Sequence, residues 1–100
     1  MAKTKVADTG DLAPGQCKVV QVNGKAIALY NVDGKFYATD NACLHRGGPL
    51  GEGDLDGNVV TCPWHGWRYD VTTGANAMNP SIKVVPFPVS VEGSSVFVEL

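Results

Sequence analysis

The sequence has little net charge and no long apolar run, and both absences exclude classes of function. Eight Lys and Arg stand against ten Asp and Glu, which gives a formal net charge of -2. Such a balance provides no electrostatic field that would hold nucleic acid or an anionic membrane. No apolar segment reaches the length of a membrane span or follows the pattern of a signal peptide. We therefore expect a soluble, unexported, cytoplasmic chain with neither nucleic acid nor membrane as a partner.

The chain is also short, and it is poor in the residues that staple small secreted proteins. One hundred residues suffice for one domain and exclude doubly wound nucleotide-binding folds. Three cysteines are an odd number and too few for a disulfide framework, so metal binding or free thiols are expected instead. Twelve glycines and six prolines favour a β-rich protein with many turns over a helical bundle.

The first forty residues predict an antiparallel meander. A strand over residues 15–22 leads into Asn23-Gly24, a pair that tolerates the positive φ angles of a two-residue hairpin turn. A return strand is expected over residues 25–31, and Asp33-Gly34 repeats the turn signal before a third strand over residues 36–39. These strands predict a sheet that forms the base of the domain.

The pattern changes between residues 40 and 66, where glycines and prolines crowd the chain. Only Val59–Thr61 has strand character there, so we predict an insertion built from loops. Strands are expected again over residues 67–71, 83–87, 89–92 and 96–100, with the tail returning to the base sheet. The fold class is therefore all-β: residues 1–100 form a single domain, with a small subdomain of about residues 41–70 set into a β base.

Both histidines and two of the three cysteines fall inside this insertion. They form two short motifs, Cys43-x-His45 and Cys62-x-x-His65, in which each loop supplies one thiolate and one imidazole. Taken singly, each cysteine is more simply a small buried hydrophobe and each histidine an ordinary polar residue. Their pairing predicts one metal centre clamped by two loops, and the spacing alone leaves a structural zinc site open.

The flanking residues resemble a particular family. The segments Cys-Leu-His-Arg-Gly-Gly-Pro-Leu (43–50) and Cys-Pro-Trp-His-Gly-Trp-Arg-Tyr-Asp (62–70) resemble the two cluster-binding boxes of the Rieske iron–sulfur family. The resemblance implies stacked antiparallel sheets that carry a small cluster-binding subdomain. It also implies one Rieske-type [2Fe–2S] cluster, with Cys43 and Cys62 on one iron and His45 and His65 on the other.

The sequence departs from the respiratory branch of that family. Gly48 and Trp64 occupy the places of two additional cysteines, so the disulfide between the loops is not expected. Trp67 replaces a serine that donates to a bridging sulfide, whereas Tyr69 matches a tyrosine that donates to a cysteine sulfur. The expected reduction potential is therefore toward the low end of the Rieske span of about -150 to +300 mV.

Boxes without the disulfide resemble those of Rieske ferredoxins and of ring-hydroxylating oxygenases. An oxygenase needs a further iron site, and both histidines of this chain are already assigned to the cluster. The resemblance therefore implies a one-electron carrier and not an enzyme. A small carrier that must dock and leave repeatedly is most simply a monomer. Its partners would be a flavin-dependent ferredoxin reductase and a terminal oxygenase or other oxidoreductase. Two alternatives remain: the small Rieske-like subunit of an assimilatory nitrite reductase, and a zinc-stabilised interaction module.

Residues around the boxes have candidate roles of their own. Gly47, Gly48 and Gly66 would let backbone N–H groups approach the cluster sulfurs, or simply form turns. Trp64 and Trp67 would offer an aromatic docking face or pack against the base domain. Cys17, in a strand expected to lie far from both boxes, is most simply a buried thiol.

Overall fold

The computed structural model of the chain describes residues 3–22, 24–41, 49–64, 66–79 and 81–99, which form three antiparallel sheets. The strands in chain order are β1 (Lys3–Asp8), β2 (Cys17–Val22), β3 (Lys25–Val32), β4 (Lys35–Asp40), β5 (Asp54–Asp56), β6 (Val59–Thr61), β7 (Arg68–Asp70), β8 (Pro86–Phe87), β9 (Val89–Glu92) and β10 (Ser95–Glu99). Two short 3-10 turns cover Thr9–Asp11 and Leu50–Glu52. The predicted all-β class is confirmed.

The predicted meander forms the centre of the molecule. Sheet B has the strand order β2-β3-β4-β8, and β2, β3 and β4 pair as consecutive antiparallel neighbours. Val22 lies opposite Lys25 at the first connection, whereas Asn23 of the predicted turn lies outside the described residues. At the second turn both central residues have positive φ angles, 51° at Asp33 and 90° at Gly34. This geometry matches the right-handed twist of the flanking strands and places Val32 opposite Lys35.

Sheet B is covered on both faces, which makes the molecule three-layered. Ile27 and Leu29 of β3 face a first core cluster shared with sheet A, which has the order β1-β10-β9. Ala28 and Tyr30 face a second core cluster shared with sheet C, which has the order β5-β6-β7. The buried members of the second cluster are Ala28, Tyr30, Leu50, Val60, Cys62, Tyr69, Val71 and Val84. A strand buried on both faces requires the continuous apolar run found in β3.

Three expectations about the strands need correction. The segment between residues 40 and 66 is not built from loops alone, because β5 pairs with β6 and completes sheet C with β7. Only β8 of the tail joins sheet B, whereas β9 and β10 pair with each other and with β1, a strand that the sequence did not predict. The strand expected over residues 83–87 shortens to Pro86–Phe87, because Pro86 within it and Pro88 directly after it lack the N–H needed for pairing.

Candidate metal centre

The second box occupies the hairpin loop between β6 and β7. Cys62 follows β6 directly, and its backbone N–H donates to the carbonyl oxygen of Trp67 at 2.7 Å. Thr61 is paired with Arg68 at the base of the same loop. The cysteine therefore stands on the rigid end of a paired strand rather than within a free loop.

The environment of the Cys62 sulfur suits a thiolate ligand. The residue is 2% exposed and belongs to the second core cluster beside Val60 and Tyr69. The backbone N–H of Trp64 donates to the sulfur at 3.4 Å. A buried thiolate needs such a donor or a cation, because burial in apolar surroundings alone disfavours its charge. The donor set at this position therefore fits a bound iron–sulfur group better than it fits a plain apolar core.

The first box begins two residues after Asn41, and Asn41 is hydrogen-bonded to the far end of the loop. The Asn41 carbonyl oxygen accepts a hydrogen bond from the N–H of Leu50 at 2.8 Å. Its side-chain oxygen accepts another from the N–H of Gly51, also at 2.8 Å. Residues 42–48, between these two points, lie outside the described residues.

The bases of the two boxes meet through the 3-10 turn at Leu50–Glu52. Leu50 is fully buried in the same core cluster as Cys62. Gly53, which ends the turn, packs so tightly on β6 that a Cβ atom there would lie 2.1 Å from the carbonyl oxygen of Thr61. Thr61 is the residue before Cys62. The two box-bearing segments are thus held against one another at their bases.

Of the four predicted ligands, the structure describes one. Cys62 is placed as above, whereas Cys43, His45 and His65 lie outside the described residues, as do Arg46, Gly47 and Gly48. The assignment of the four ligands, and of about residues 41–70 as a subdomain, therefore remains a prediction at this point.

The aromatic and glycine neighbours divide between surface and core. Trp64 is 50% exposed, whereas Trp67 packs against the second core cluster, so the two tryptophans have different environments. Gly66 is exposed and has a φ angle of 75°, so the positive φ of a turn is enough to explain a glycine at this position. Tyr69 is fully buried in the cluster that contains Cys62.

The expectation that Cys17 lies far from both boxes is wrong. Its thiol donates to the carbonyl oxygen of Gly53 at 3.3 Å, beside the 3-10 turn that follows the first box. Burial raises the pKa of the Cys17 thiol, and the carboxylate of Asp54 raises it further. The residue is therefore a neutral thiol that packs against the turn. No local sequence signal marks this contact, which joins residues separated by 36 positions.

Sequence reasoning also missed Asn41 and Gly53, which hold the boxes in place. The only sequence signal for them is their position: Asn41 lies two residues before the first box, and Gly53 lies in the segment between the boxes. In the described part of the chain no helix is long and apolar enough to cross a membrane.

Comparison with known proteins agrees with this architecture. The family model described as "Rieske [2Fe-2S] domain" matches residues 2–88. The ferredoxin component of the naphthalene 1,2-dioxygenase/salicylate 5-hydroxylase systems of a Ralstonia species is 41% identical over 91 residues, which cover 90% of this chain and 88% of that protein. The ferredoxin component of the p-cumate 2,3-dioxygenase system of Pseudomonas putida is 43% identical over 95 residues, which cover 92% and 80%.

Solved structures lead to the same group. The ferredoxin of carbazole 1,9a-dioxygenase from Nocardioides aromaticivorans IC177 superposes with a TM-score of 0.90 at 29% identity, over 98% of this chain and 97% of that one. A chain from a complex of reduced oxygenase and oxidized ferredoxin in carbazole 1,9a-dioxygenase gives a TM-score of 0.88 at 38% identity, over 96% and 91%. The chain therefore belongs to the Rieske [2Fe–2S] family, as an electron carrier with a Rieske-type [2Fe–2S] cluster rather than as an enzyme.

Proposed function

We propose that this chain carries single electrons from a flavin-dependent ferredoxin reductase to the terminal oxygenase of a ring-hydroxylating dioxygenase system. The relatives named as ferredoxin components of dioxygenase systems support an oxygenase as the electron acceptor. The solved structure of a complex between an oxygenase and a ferredoxin supports direct docking of the two proteins. A reductase is proposed because the cluster must be reduced again after each electron that it gives to the oxygenase. We further propose that the carrier is cytoplasmic and monomeric, as the sequence predicts.

We assign the four ligands as Cys43, His45, Cys62 and His65. The observation that carries this assignment is the Cys62 sulfur, which is buried at the end of a paired strand and accepts a hydrogen bond from the Trp64 N–H. Cys43 and Cys62 would hold one iron, and His45 and His65 the other. When bound, the cluster accepts and releases one electron.

The protein holds the proposed cluster, shields its cysteine-bound side from water, and leaves a route for electrons between the cluster and the surface. Leu50, Val60 and Tyr69 pack with Cys62 and exclude water from the thiolate. The Trp64 N–H stabilises negative charge on that sulfur, which raises the potential relative to a sulfur without a donor. The chain around His65 is open to solvent, since Pro63, Trp64 and Gly66 are all exposed. A partner that docks on this loop would come close to the cluster.

The ligand assignment is tested by electron paramagnetic resonance together with iron and acid-labile sulfide analysis. The anaerobically purified protein should be silent when oxidised and should give, after dithionite, a spectrum whose average g lies below that of all-thiolate clusters. Cys43→Ser, His45→Ala, Cys62→Ser and His65→Ala should each abolish this signal. Cys17→Ser is the matched control, because it alters the third cysteine of the chain and should keep the signal.

Two results would contradict the assignment. Stoichiometric zinc without a reducible signal would favour the zinc-stabilised module. Loss of the cluster in Cys17→Ser together with its retention in His65→Ala would show that the ligands were misassigned.

The partner proposal is tested by electron transfer in a reconstituted dioxygenase system of reductase, this chain and terminal oxygenase. Trp64→Ala should slow transfer to the oxygenase, because it removes an exposed aromatic side chain beside the proposed ligand His65. Val91→Ala removes a side chain of similar exposure, 47%, from β9 in sheet A and should leave the rate unchanged. Equal rates in the two variants would argue against docking on the loop that contains Trp64.

A further inference from the structure

We propose that Asn41 is a positioning residue for the cluster, which acts by tying the start of the first ligand loop to the fixed 3-10 turn at its end. This inference rests on the proposed ligand roles of Cys43 and His45, which lie between the two tied points. Asn41 itself is not a ligand and is not expected to touch the cluster.

The start of the loop is fixed by sheet B. Asn41 directly follows β4, and its backbone N–H donates to the carbonyl oxygen of Ala26 at 3.4 Å, which extends the pairing with β3 by one step. The backbone of Asn41 therefore belongs to the most deeply buried sheet of the molecule, and Cys43 follows only two residues later.

The end of the loop is fixed by the packing of the 3-10 turn. Leu50 is fully buried, and Gly51 lies so close to β2 that a Cβ atom there would be 2.8 Å from the backbone carbonyl of Lys18. On the other side, a Cβ atom at Gly53 would lie 2.1 Å from the carbonyl oxygen of Thr61. The turn is thus wedged between β2 and β6 by backbone contacts, which have less freedom to adjust than side chains do.

Asn41 connects these two fixed parts through both of its oxygens. The carbonyl oxygen accepts from the Leu50 N–H and the side-chain oxygen from the Gly51 N–H, each at 2.8 Å. The side-chain bond is the one that depends on residue type, since any residue supplies the carbonyl. These two bonds fix the distance between the ends of the ligand loop, and holding the ends of a loop together lowers the entropic cost of closing it around a bound group.

The test compares Asn41→Ala with Asn41→Asp, which keeps an oxygen at the same place and accepts the Gly51 N–H at least as well. The matched control is Asn31→Ala. The Asn31 residue is 3% exposed, and its side chain makes two hydrogen bonds: its oxygen accepts from the Gly34 N–H at 2.8 Å and its amide donates to the Leu12 carbonyl oxygen at 2.7 Å. These bonds close a turn of the base rather than a ligand loop.

The primary measurement is the rate at which the loaded protein loses its visible absorbance to an iron chelator, well below the unfolding temperature. Asn41→Ala should lose the cluster about ten-fold faster than wild type, the factor expected for one lost hydrogen bond to a buried group. Asn41→Asp should stay within about two-fold of wild type, and so should Asn31→Ala, although Asn31→Ala should lower the melting temperature at least as much as Asn41→Ala does. The reduced spectrum of Asn41→Ala should also be broadened, because its ligand geometry is less uniform.

Several results would overturn the proposal. The first is an equal rate of cluster loss in wild type and Asn41→Ala. The second is an equal rate in Asn41→Ala and Asn41→Asp. The third is faster cluster loss in Asn31→Ala in proportion to its lower melting temperature. A wild-type chain without iron and sulfide would overturn the ligand assignment and this inference together, whereas a loaded wild type with an unaffected Asn41→Ala overturns this inference alone. If Asn41→Ala does not fold, hydrogen exchange at the Gly51 amide of the wild type decides: protection supports the bond to Asn41, and rapid exchange refutes it.

Discussion

Gly53→Ala tests the contact that holds the bases of the two boxes together. The backbone of Gly53 has φ -82° and ψ -170°, a conformation that alanine adopts freely. Any effect of the substitution therefore comes from the added methyl group. That atom would lie 2.1 Å from the carbonyl oxygen of Thr61, 3.1 Å from its carbonyl carbon and 3.3 Å from the carbonyl oxygen of Leu50.

The magnitude follows from what must move. Reaching an ordinary contact distance requires Gly53 and Thr61 to separate by about 1 Å, and both neighbours are backbone atoms of packed segments. Overpacking of this kind costs about 1–3 kcal/mol. For a chain of this length, a loss of about 2 kcal/mol lowers the melting temperature by about 8–16 °C.

The assay is thermal unfolding at one scan rate, with Gly10→Ala as the matched control. Gly10 lies in the other 3-10 turn, has no atom within 4 Å of the position of a Cβ, and has no positive φ. Its substitution should change stability by no more than about 0.5 kcal/mol. A Gly53→Ala protein that melts within about 2 °C of Gly10→Ala would refute the close approach of the turn to β6.

Four further predictions concern three side chains. Tyr30→Phe should cost about 1 kcal/mol, because it removes the buried 2.8 Å hydrogen bond to Thr39, and denaturant titration measures this loss. Burial raises the pKa of Tyr30, so the stability of the wild type should fall as pH rises above about 10, where only the unfolded chain ionises this phenol. Tyr30→Phe should make this fall less steep. An equally steep fall in Tyr30→Phe would contradict the assignment of the pH dependence to Tyr30. Since the pKa of the Cys17 thiol is raised, iodoacetamide at neutral pH should alkylate it more slowly than a free peptide thiol, as peptide mapping will show; equal rates would mean that the thiol is not buried. Trp64→Ala should leave the melting temperature nearly unchanged, because half of this side chain is exposed; a large decrease would place it in the core.

The features predicted correctly from sequence depend on nearby residues. The all-β class followed from glycine, proline and alternating apolar positions, and β6 was predicted with the bounds that the structure gives. The turn at Asp33-Gly34 was predictable because few residue pairs accept two positive φ angles. The family followed from two motifs whose residue types and spacings are local as well.

The features that were missed depend on partners distant in the chain. The segment Asp54–Asp56 has one apolar residue, and it is a strand because β6 supplies its hydrogen bonds. The apolar pattern of β9 and β10 does not distinguish sheet B, where they were expected, from sheet A. Their place in sheet A is decided by the pairing of β10 with β1, at the other end of the chain. Strand patterns define which residues can pair, but they do not name the partner.

The sequence by itself indicated the chemistry of this protein, because the two ligand motifs and the residues that flank them are local features of the chain. The tertiary structure decided how the supports of that chemistry meet. It brings the Cys17 thiol to the Gly53 carbonyl, Gly53 to Thr61, and both oxygens of Asn41 to the 3-10 turn. These contacts arise only when sheet B is buried on both faces and sheet C packs against it, since close packing joins residues for which no local pattern exists.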